Sequence, residues 1–382
     1  MSKSRSGRND APATVYHLGP RHAGLTLAAA LKELVPETSW TTAKGWIARR
    51  QVQVNGNLCL DEARRVGDKD VVKLWKQPLA RPIDTSDLRI AFIDEHLLVV
   101  EKPAGVTSVR HVAERKLSTR RRQLQPTLEE LLPPVLAKLQ RLRWPPLPPE
   151  GMNKGKKRPP GQFKKELAIH NAKKLPPELQ VIPVHRLDRD TSGLMLFART
   201  RAAEQKLTAM FRRHSIERQY IGICLGHVPP QTIESYLVRD RGDGVRGSVS
   251  TATPVAAGLL EGPPGDLAEG AQRAVTHVLT AEHFEASAAK NPYSQIRLRL
   301  ETGRTHQIRI HLSEIGHMLC GDKIYFRDAT GGVTLDASGA PRHALHSDRL
   351  TFTHPFTGQH MKFEMALPKD LSNWLGRLRA TT

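Results

Sequence analysis

Short apolar strand patterns that lie far apart along the chain are the feature that most restricts how it can fold. Residues 88–100 have the pattern of a hairpin, and single strand patterns follow at 194–198, 219–225 and 294–300. Helical spacing of apolar residues fills the stretch after Thr200, with Ala203, Leu207, Met210 and Phe211 on one face. Strands joined by such long connections favour a mixed, mainly antiparallel sheet with helices packed on it. We therefore predict an α+β fold with flanking helices.

The charge balance predicts a polyanionic partner. The 382 residues contain 58 Lys and Arg against 38 Asp and Glu, a net charge of +20, and the pI is about 10.2. Lys and Arg bind nucleic acids by neutralising phosphates and releasing their counterions. A soluble protein with a few solvated charged tails is the alternative explanation of the same composition.

Neither a disulfide framework nor a metal site is predicted. Cys59, Cys224 and Cys320 are isolated, with no CxxC pair, and are expected to be reduced thiols of a cytoplasmic protein. His306 and His311 are five positions apart and so do not have i,i+4 spacing, and the other histidines are scattered. The polar start and the absence of an apolar run of about 18 residues predict neither a signal peptide nor a membrane span.

The first 80 residues are predicted to be a disordered lead, 1–20, and a small basic domain, 21–80. Apolar spacing predicts a helix within residues 25–34, and Thr41 or Thr42 is expected to cap a second short helix. Alternation that ends in Asn55-Gly56 predicts a hairpin. The basic residues that lie between these elements are Lys44, Arg49 and Arg50.

Two insertions interrupt the larger domain, predicted at 86–375. Residues 110–180 contain 17 Lys and Arg, 6 Asp and Glu and 11 prolines, which gives a net charge of +11, and one helix is predicted there over 128–142. The part at 154–165 has too few apolar residues to order itself. The insertion is either a basic arm that wraps RNA or a passive solvated segment. The second insertion, 240–272, is rich in Gly, Pro and Ala.

The segment from His185 to Gly193 is the most unusual in the chain. It places Arg186, Asp188 and Arg189 just before an apolar strand. In extended backbone, Arg186 and Asp188 project to the same side, and neighbouring guanidinium groups keep a carboxylate ionised. An ionised carboxylate on a loop is a reasonable nucleophile. Taken alone, the pattern also fits a surface salt bridge.

Four segments in order resemble the RluA-type RNA pseudouridine synthases. The segment His-Arg-Leu-Asp-Arg-Asp-Thr-Ser-Gly at 185–193 is similar to the family signature. Lys-Pro-Ala-Gly at 102–105, the stretch 302–322 with Thr-Gly-Arg-Thr-His-Gln-Ile-Arg, and the strand pattern at 345–355 agree with it in the same order. The resemblance runs from about residue 88 to 370 and implies the pseudouridine synthase fold.

This resemblance implies roles for individual residues. Asp188 would be the catalytic aspartate, and it would either add to the uridine ring or assist cleavage of the N-glycosidic bond. Tyr220 would stack on the base and take part in proton transfer, and Arg186 would fill the space of the flipped uridine. Arg309 is preferred over Arg304 as the partner of Asp188. Further contacts to the substrate are expected from Arg189, Arg304 and His306.

Residues 21–80 resemble an S4-like RNA-binding domain, through Arg-Arg-Gln-Val-Gln-Val-Asn-Gly at 49–56. This resemblance implies that Lys44, Arg49 and Arg50 bind RNA, and it favours large-subunit ribosomal RNA over transfer RNA as the substrate. The isomerisation is redox-neutral and has no external group donor, so no cofactor is expected. The protein is expected to be a monomer without membrane association.

Two other function classes compete with this interpretation. A catalytically silent RNA-binding or ribosome-assembly protein would need only the fold and the basic segments, and would have no need of Asp188, Tyr220 and Arg309 together. A hydrolase with paired carboxylates would need a second acid opposite Asp188. Asp190 is close in sequence, but the other motif segments provide no acid for that role.

Overall fold

The computed structural model describes residues 13–55, 57–76, 78–79, 83–110, 126–146, 175–239, 246–249, 253–255, 270–286, 291–326 and 336–380. These residues form two compact units, one that ends at Ile83 and one that begins at Asp84. In this described part of the chain, no helix is long and apolar enough to cross a membrane.

The N-terminal unit combines two short helices with a small antiparallel sheet. Its elements are β1 (Ala13–His17), α1 (Leu27–Leu34), α2 (Trp40–Ala48), β2 (Val52–Val54), β3 (Asn57–Leu58) and β4 (Val71–Trp75). The four strands lie in the order β1-β4-β2-β3. The helix within 25–34 and the hairpin at Asn55 are therefore present as predicted.

The core of this unit comes from the inner faces of both helices and the sheet. The fully buried apolar side chains include Leu27, Leu31, Ile47, Val52 and Val72. Removing each of these from water stabilises the fold by about 2 kcal/mol. The alternation of Val52 and Val54, both buried, places one side of β2 on the helices.

Two predictions for this unit are wrong. The lead at 1–20 is not disordered throughout, because residues 13–17 form β1 and pair with β4, where β-branched and aromatic residues cover an open strand edge. The cap of α2 is Ser39 rather than Thr41 or Thr42. The Ser39 hydroxyl accepts a hydrogen bond from the Thr42 N–H at 3.0 Å.

The larger unit contains a 12-stranded sheet with helices packed on it. Its strands are β5 (Arg89–Ile93), β6 (Leu97–Lys102), β7 (Ile182–Pro183), β8 (Ser192–Ala198), β9 (Glu217–Leu225), β10 (Gln231–Val238), β11 (Gly247–Ser248), β12 (Thr253–Val255), β13 (Gln272–Ala286), β14 (Asn291–Leu300), β15 (Leu345–Thr353) and β16 (His360–Glu364). Its helices are α3 (Leu128–Leu139), α4 (Arg201–Arg212), α5 (Gln307–Glu314) and α6 (Lys369–Ala380).

The sheet runs in the order β11-β10-β13-β14-β9-β15-β8-β6-β5, with β12 beside β10, β16 beside β15 and β7 beside β8. β15 and β8 are parallel, and the other pairings of the described strands are antiparallel. The predicted mixed, mainly antiparallel sheet is confirmed. Its strands come from distant segments because the connections carry the helices and the insertions.

Two helices cover different parts of the sheet. Ala203 and Leu207 of α4 pack against the buried apolar residues of β6 and β8. Thr200 caps α4, as predicted, by accepting a hydrogen bond from the Ala203 N–H at 3.1 Å. Leu371 and Trp374 of α6 pack against β9 and β14. The packed helices hold the central strands rigidly, and the functional site lies at the ends of these strands.

The insertions are described only in part. The helix predicted over 128–142 is α3, which ends at Leu139, and Thr127 precedes it. The basic segment 154–165 lies outside the described residues, as do 111–125 and the whole of 147–174. Within 240–272, the short strands β11 and β12 are described, while residues 240–245, 250–252 and 256–269 are not.

Candidate active site

Asp188 lies on the loop between β7 and β8, and this loop is tied down on both sides. The Ser108 hydroxyl donates to the Leu187 carbonyl at 2.6 Å, and the Leu187 N–H donates to the same hydroxyl at 3.1 Å. The Gly105 N–H donates to the Arg189 carbonyl at 2.9 Å, and the Thr191 N–H donates to the Asp188 carbonyl at 3.2 Å. The backbone on either side of the carboxylate is therefore fixed.

A buried lysine holds the same loop by hydrogen bonds to its backbone carbonyls. Lys102 is fully buried at the end of β6. Its Nζ donates to the carbonyls of Thr191 at 2.7 Å, Arg189 at 2.9 Å and Pro103 at 3.1 Å. Burial lowers the pKa of Lys102 to about 7, although Asp190 and Asp188 act in the opposite direction. The Lys-Pro-Ala-Gly motif thus positions the Asp188 loop.

Gly193 lets β8 lie directly beside β15. Its φ is +134°, and an added Cβ would lie 2.3 Å from the Ser347 carbonyl oxygen. A side chain cannot occupy that space, because the obstacle is backbone. The Thr-Ser-Gly that follows the aspartate therefore makes possible the parallel pairing of β8 and β15, which sets the position of the loop.

Arg309 joins two carboxylates at the site. It lies on α5, with its guanidinium only 6% exposed. Its Nε and Nη2 donate to the two carboxylate oxygens of Asp322 at 2.6 and 3.0 Å. Its Nη1 donates to Asp188 Oδ2 at 3.2 Å. Such a bidentate pair fixes the plane of the guanidinium, so Asp322 aims Arg309 at Asp188.

The Asp188 carboxylate is held in its ionised form. Burial raises its pKa, but the charges of His306, Arg309 and His343 together outweigh burial and lower the pKa. Burial also lowers the pKa of His306, and it lowers that of His343 to about 4. Both histidines are therefore mainly neutral near pH 7, which leaves Arg309 as the permanent positive charge beside Asp188.

His306 is a second neighbour of the carboxylate. It precedes α5 in the left-handed conformation, with φ of 61°. Its Nε2 lies 3.8 Å from Asp188 Oδ2, and its Nδ1 is 2.9 Å from the Tyr325 hydroxyl. The Tyr325 ring also lies 5.0 Å from the Arg309 guanidinium carbon. Tyr325 thus contacts both His306 and Arg309, the two side chains beside Asp188.

Asp188 opens into a cavity of about 540 Å³, a size typical of small-molecule and cofactor sites. Tyr220 of β9 lines it and is only 4% exposed. Burial raises the pKa of the Tyr220 hydroxyl, so this group stays protonated near neutral pH. Arg186 lines the same cavity and is exposed. Arg186 and Asp188 thus line one cavity, as does Leu187 between them.

The structure brings together most of the residues predicted for the site. The cavity is lined by Asp188, Tyr220, Arg309, Arg186, Arg304 and His306. Arg309 contacts Asp188, whereas Arg304 is exposed and its Nε donates to the Arg273 carbonyl at 3.1 Å. This geometry matches the preference for Arg309 over Arg304. The reason is that α5 begins at Gln307, which places Arg304 before the helix.

One predicted residue lies elsewhere. Arg189 is absent from the cavity lining, and its Nε donates to the Gly105 carbonyl at 3.2 Å. The turn at Asp188 sends the following side chain toward the Lys-Pro-Ala-Gly segment. The structure therefore does not support the substrate contact predicted for Arg189.

Four further residues of the site have no role in the sequence-based prediction. Asp322 and Lys102 position Arg309 and the loop, and Arg218 and Glu301 line the cavity. Asp322 and Lys102 stand inside segments that resemble the family, which was the available signal. Arg218 stands two residues before Tyr220, where strand alternation places it on the same face. Within the described ranges, no group of His, Cys, Asp or Glu side chains could hold a metal ion.

The basic residues predicted to bind RNA lie in the N-terminal unit. Lys44 is on α2, and its Nζ is 3.4 Å from Glu62 Oε1. Arg49 is exposed and its Nε donates to Gln51 at 3.1 Å, while Arg50 follows in the left-handed conformation, with φ of 64°. These three residues stand at the end of α2 and the turn that follows it.

Comparison with known proteins identifies the family. The ribosomal large subunit pseudouridine synthase D of Neisseria meningitidis serogroup A / serotype 4A is 30% identical over 369 residues, which cover 94% of this chain and 79% of that protein. The chain belongs to the RNA pseudouridine synthase family. The family model for RNA pseudouridylate synthase matches residues 149–314, which include Asp188, Tyr220 and Arg309.

Other members of the pseudouridine synthase family agree in length and fold. The large subunit pseudouridine synthase D of Nitrosomonas europaea is 28% identical over 365 residues, covering 94% of this chain and 85% of that protein. The solved structure of human RNA pseudouridylate synthase domain containing 4 superposes with a TM-score of 0.50 at 19% identity, covering 76% of this chain and 92% of that chain. This similarity shows that the fold is shared.

Proposed function

We propose that this pseudouridine synthase isomerises specific uridines of large-subunit ribosomal RNA, with Asp188 as its catalytic carboxylate. The observation that carries the proposal is the ionised Asp188 carboxylate, which Arg309 holds at 3.2 Å in an open cavity beside Tyr220. The relatives from Nitrosomonas europaea and Neisseria meningitidis are named for the ribosomal large subunit, and this favours ribosomal RNA over transfer RNA.

The reaction moves one bond of the nucleotide. The bond between C1′ of the ribose and N1 of uracil breaks, the base rotates, and C1′ joins C5, while the C5 hydrogen leaves as a proton and N1 gains one. Asp188 acts either by adding to the ring or by assisting cleavage of the N-glycosidic bond. Both routes need the carboxylate ionised, which is the state that Arg309 favours. The conversion is redox-neutral, so no cofactor is expected.

The target uridine must leave its stack before Asp188 can reach it. Arg186 is exposed at the cavity and two residues from Asp188. A planar guanidinium can stack where the base was removed, so Arg186 would hold the RNA open while Tyr220 contacts the flipped base. Base flipping thus assigns Arg186 a mechanical role and Asp188 a chemical one.

RNA outside the cavity would be bound by the basic N-terminal unit. Lys44, Arg49 and Arg50 are proposed to contact phosphates, in an S4-like domain at 21–80 that precedes a catalytic domain at 86–375. The insertion at 110–180, with a net charge of +11, is proposed to add attraction for RNA. The protein is further proposed to be monomeric and to act in the cytoplasm, where ribosomal RNA is modified.

The two competing function classes fit the site less well. Glu301 is a second acid at the cavity, as a hydrolase would need, but it binds Arg273 at 3.2 Å and His277 at 3.2 Å. Burial raises the pKa of Glu301, and these two partners outweigh burial and lower it, so Glu301 is ionised and cannot donate a proton near pH 7. A silent binding protein would not need the Asp322–Arg309–Asp188 chain.

The proposal is tested by mapping pseudouridine. Total RNA from cells that lack the gene is incubated with wild-type protein or with Asp188→Ala, and pseudouridines are located by chemical footprinting. We expect the wild type to add at least one site in large-subunit ribosomal RNA that the variant does not add. Wild-type protein that adds no site would contradict the proposed activity, and a site only in transfer RNA would contradict the proposed substrate.

A further inference from the structure

Arg218 is a buried arginine at the cavity that binds no oxygen atom of the described protein. It lies on β9, two residues before Tyr220, and is only 8% exposed. It lines the cavity that contains Asp188. Among the residues that the structure describes, none forms a hydrogen bond or ion pair with its guanidinium, and its Nε is fully buried without a partner.

The other buried arginines show how unusual this is. Arg309 and Arg342 form bidentate pairs with Asp322 and Asp370, and Arg110 forms one with Glu130. Arg199 donates to two backbone carbonyls. A buried charge without a partner lowers the stability of a fold, so proteins pair such groups. The absence of a protein partner for Arg218 among the described residues suggests that its counterion is a ligand.

The surroundings of Arg218 hold it in place without neutralising its charge. Its guanidinium carbon lies 5.3 Å from the Phe211 ring. On another side is Gly303, where an added Cβ would lie 2.7 Å from Arg218 Nη1. Gly303 of the Thr-Gly-Arg motif therefore leaves space that the guanidinium fills.

His185, the nearest titratable neighbour, also provides a donor and no charge. Burial, and then the charge of Arg218, lowers the pKa of His185 to about 3. Its Nε2 accepts a hydrogen bond from the Leu196 N–H at 2.8 Å, so Nδ1 carries the ring proton. This Nδ1 has no partner within the described part of the chain. His185 thus offers Arg218 no acceptor.

We propose that Arg218 binds a phosphate of the RNA strand next to the target uridine. The inference rests on the proposed function and extends it to the recognition of the RNA backbone. A full charge is best matched by an anion, whereas the uracil carbonyls are neutral. Tyr220, which would contact the base, is about 7 Å further along β9 on the same face. Exposed Arg186, Arg212 and Arg304 at the cavity also favour an anion.

A thermodynamic cycle between the protein and the RNA tests this contact. The probe is a short RNA that spans the mapped uridine, in which the phosphate 5′ or 3′ of that uridine is replaced by an uncharged methylphosphonate. We expect one of the two replacements to weaken wild-type binding by about tenfold, as for a charge-assisted hydrogen bond. Arg218→Gln should bind the natural RNA about tenfold more weakly and lose this sensitivity.

Two further variants separate a phosphate contact from a general loss of charge. Arg273→Gln is the matched control, since Arg273 lines the same cavity but is paired with Glu234 at 2.5 Å. It should keep the sensitivity to methylphosphonate. Arg218→Lys should restore part of the binding. The unfolding midpoint of Arg218→Gln should equal or exceed that of the wild type, because the variant removes a buried charge without a protein partner.

The inference is overturned if Arg218→Gln remains as sensitive to methylphosphonate as the wild type. It is also overturned if the wild type is sensitive to loss of the uracil 4-oxygen and Arg218→Gln is not, since Arg218 would then contact the base. The cycle uses binding and not turnover, so it can be measured on an oligouridylate even if no pseudouridine is formed. Failure of the proposed function and failure of this contact are therefore distinguished.

Discussion

The positive charges of the N-terminal unit and those of the cavity differ in their exposure to water and in their function. Lys44 and Glu62 form an ion pair at 3.4 Å with side chains 51% and 43% exposed. Arg309 and Asp322 form one at 2.6 Å with side chains 6% and 1% exposed. Water screens the first pair, and such pairs contribute about 0–1 kcal/mol. The second pair is out of water, so its geometry is fixed and each partner depends on the other.

This difference in burial explains how the same basic protein can use exposed charges to attract RNA and buried charges to position the reacting groups. Exposed lysines and arginines add attraction to phosphates without a defined geometry. Buried charges in the cavity have defined partners on the protein, with the exception of Arg218 among the described buried arginines. A fixed position of the charged side chains is needed only where the uridine reacts, and the charged side chains there are buried.

The largest expected effect is that of Asp322→Asn. The substitution removes the bidentate partner of Arg309 and leaves its guanidinium buried, so the free energy of unfolding should fall by about 4 kcal/mol. The turnover number should fall as well, because Arg309 is no longer aimed at Asp188. Urea unfolding and single-turnover rates measure the two effects.

Asp370→Asn is the matched control for this prediction. Asp370 binds Arg342 with the same bidentate geometry, at 2.7 and 3.2 Å, but its side chain is 43% exposed. Its loss should lower the free energy of unfolding by about 1 kcal/mol. Equal losses in the two variants would contradict the idea that burial decides the importance of these pairs.

A smaller effect, and one that depends on pH, is expected from Lys102→Met. Burial lowers the pKa of Lys102 in the folded protein to about 7, against 10.5 as its ordinary value. Between these values the unfolded chain holds a proton that the folded protein has released, so wild-type stability rises with pH. The variant lacks this contribution. From pH 7 to pH 9.5 the wild type should gain about 3 kcal/mol relative to Lys102→Met.

Unfolding curves in urea at several pH values measure that difference, since other titrating groups cancel between the two proteins. A stability difference that stays constant across the range would mean that Lys102 keeps its proton. The three carbonyls that accept from Nζ would then outweigh burial.

The smallest effect on stability is expected for the exposed basic residues. Lys44→Ala combined with Arg49→Ala should change the free energy of unfolding by less than about 1 kcal/mol. RNA binding should weaken, and the slope of log affinity against log salt should fall by about 0.7 for each phosphate contact that is lost. An unchanged slope would show that these residues do not touch RNA.

Sequence patterns located some of the strands and the position of the Asp188 loop, but β10, β13 and β16 were not predicted. The alternation at Ser294–Leu300 and the apolar run at Leu194–Ala198 fall within β14 and β8. The Asp188 segment and α5 were also located, because each carries several residues of a family motif. Local patterns therefore predict elements when many residues contribute to the signal.

Local patterns do not predict pairs of residues that are distant in sequence. The contact between Asp188 and Arg309, which spans 121 positions, was predicted only from the family resemblance, and that between Thr191 and His343, which spans 152, was not predicted. Lys102 stood in a recognised motif, but its role depends on three carbonyls from other segments. The burial of Asp188 and Arg218 follows only from the packed sheet. The side-chain direction of Arg189 was missed for the same reason.

The most direct test of the account is release of tritium from RNA labelled at C5 of uridine, measured under single-turnover conditions. Wild-type protein should release tritium, because C5 loses its hydrogen when it joins C1′. Asp188→Asn should lose at least on the order of 10³-fold in rate while still binding the RNA. Asp190→Asn, two residues away, should retain most of the rate. Release by Asp188→Asn at the wild-type rate would contradict the assignment of Asp188 as the catalytic carboxylate.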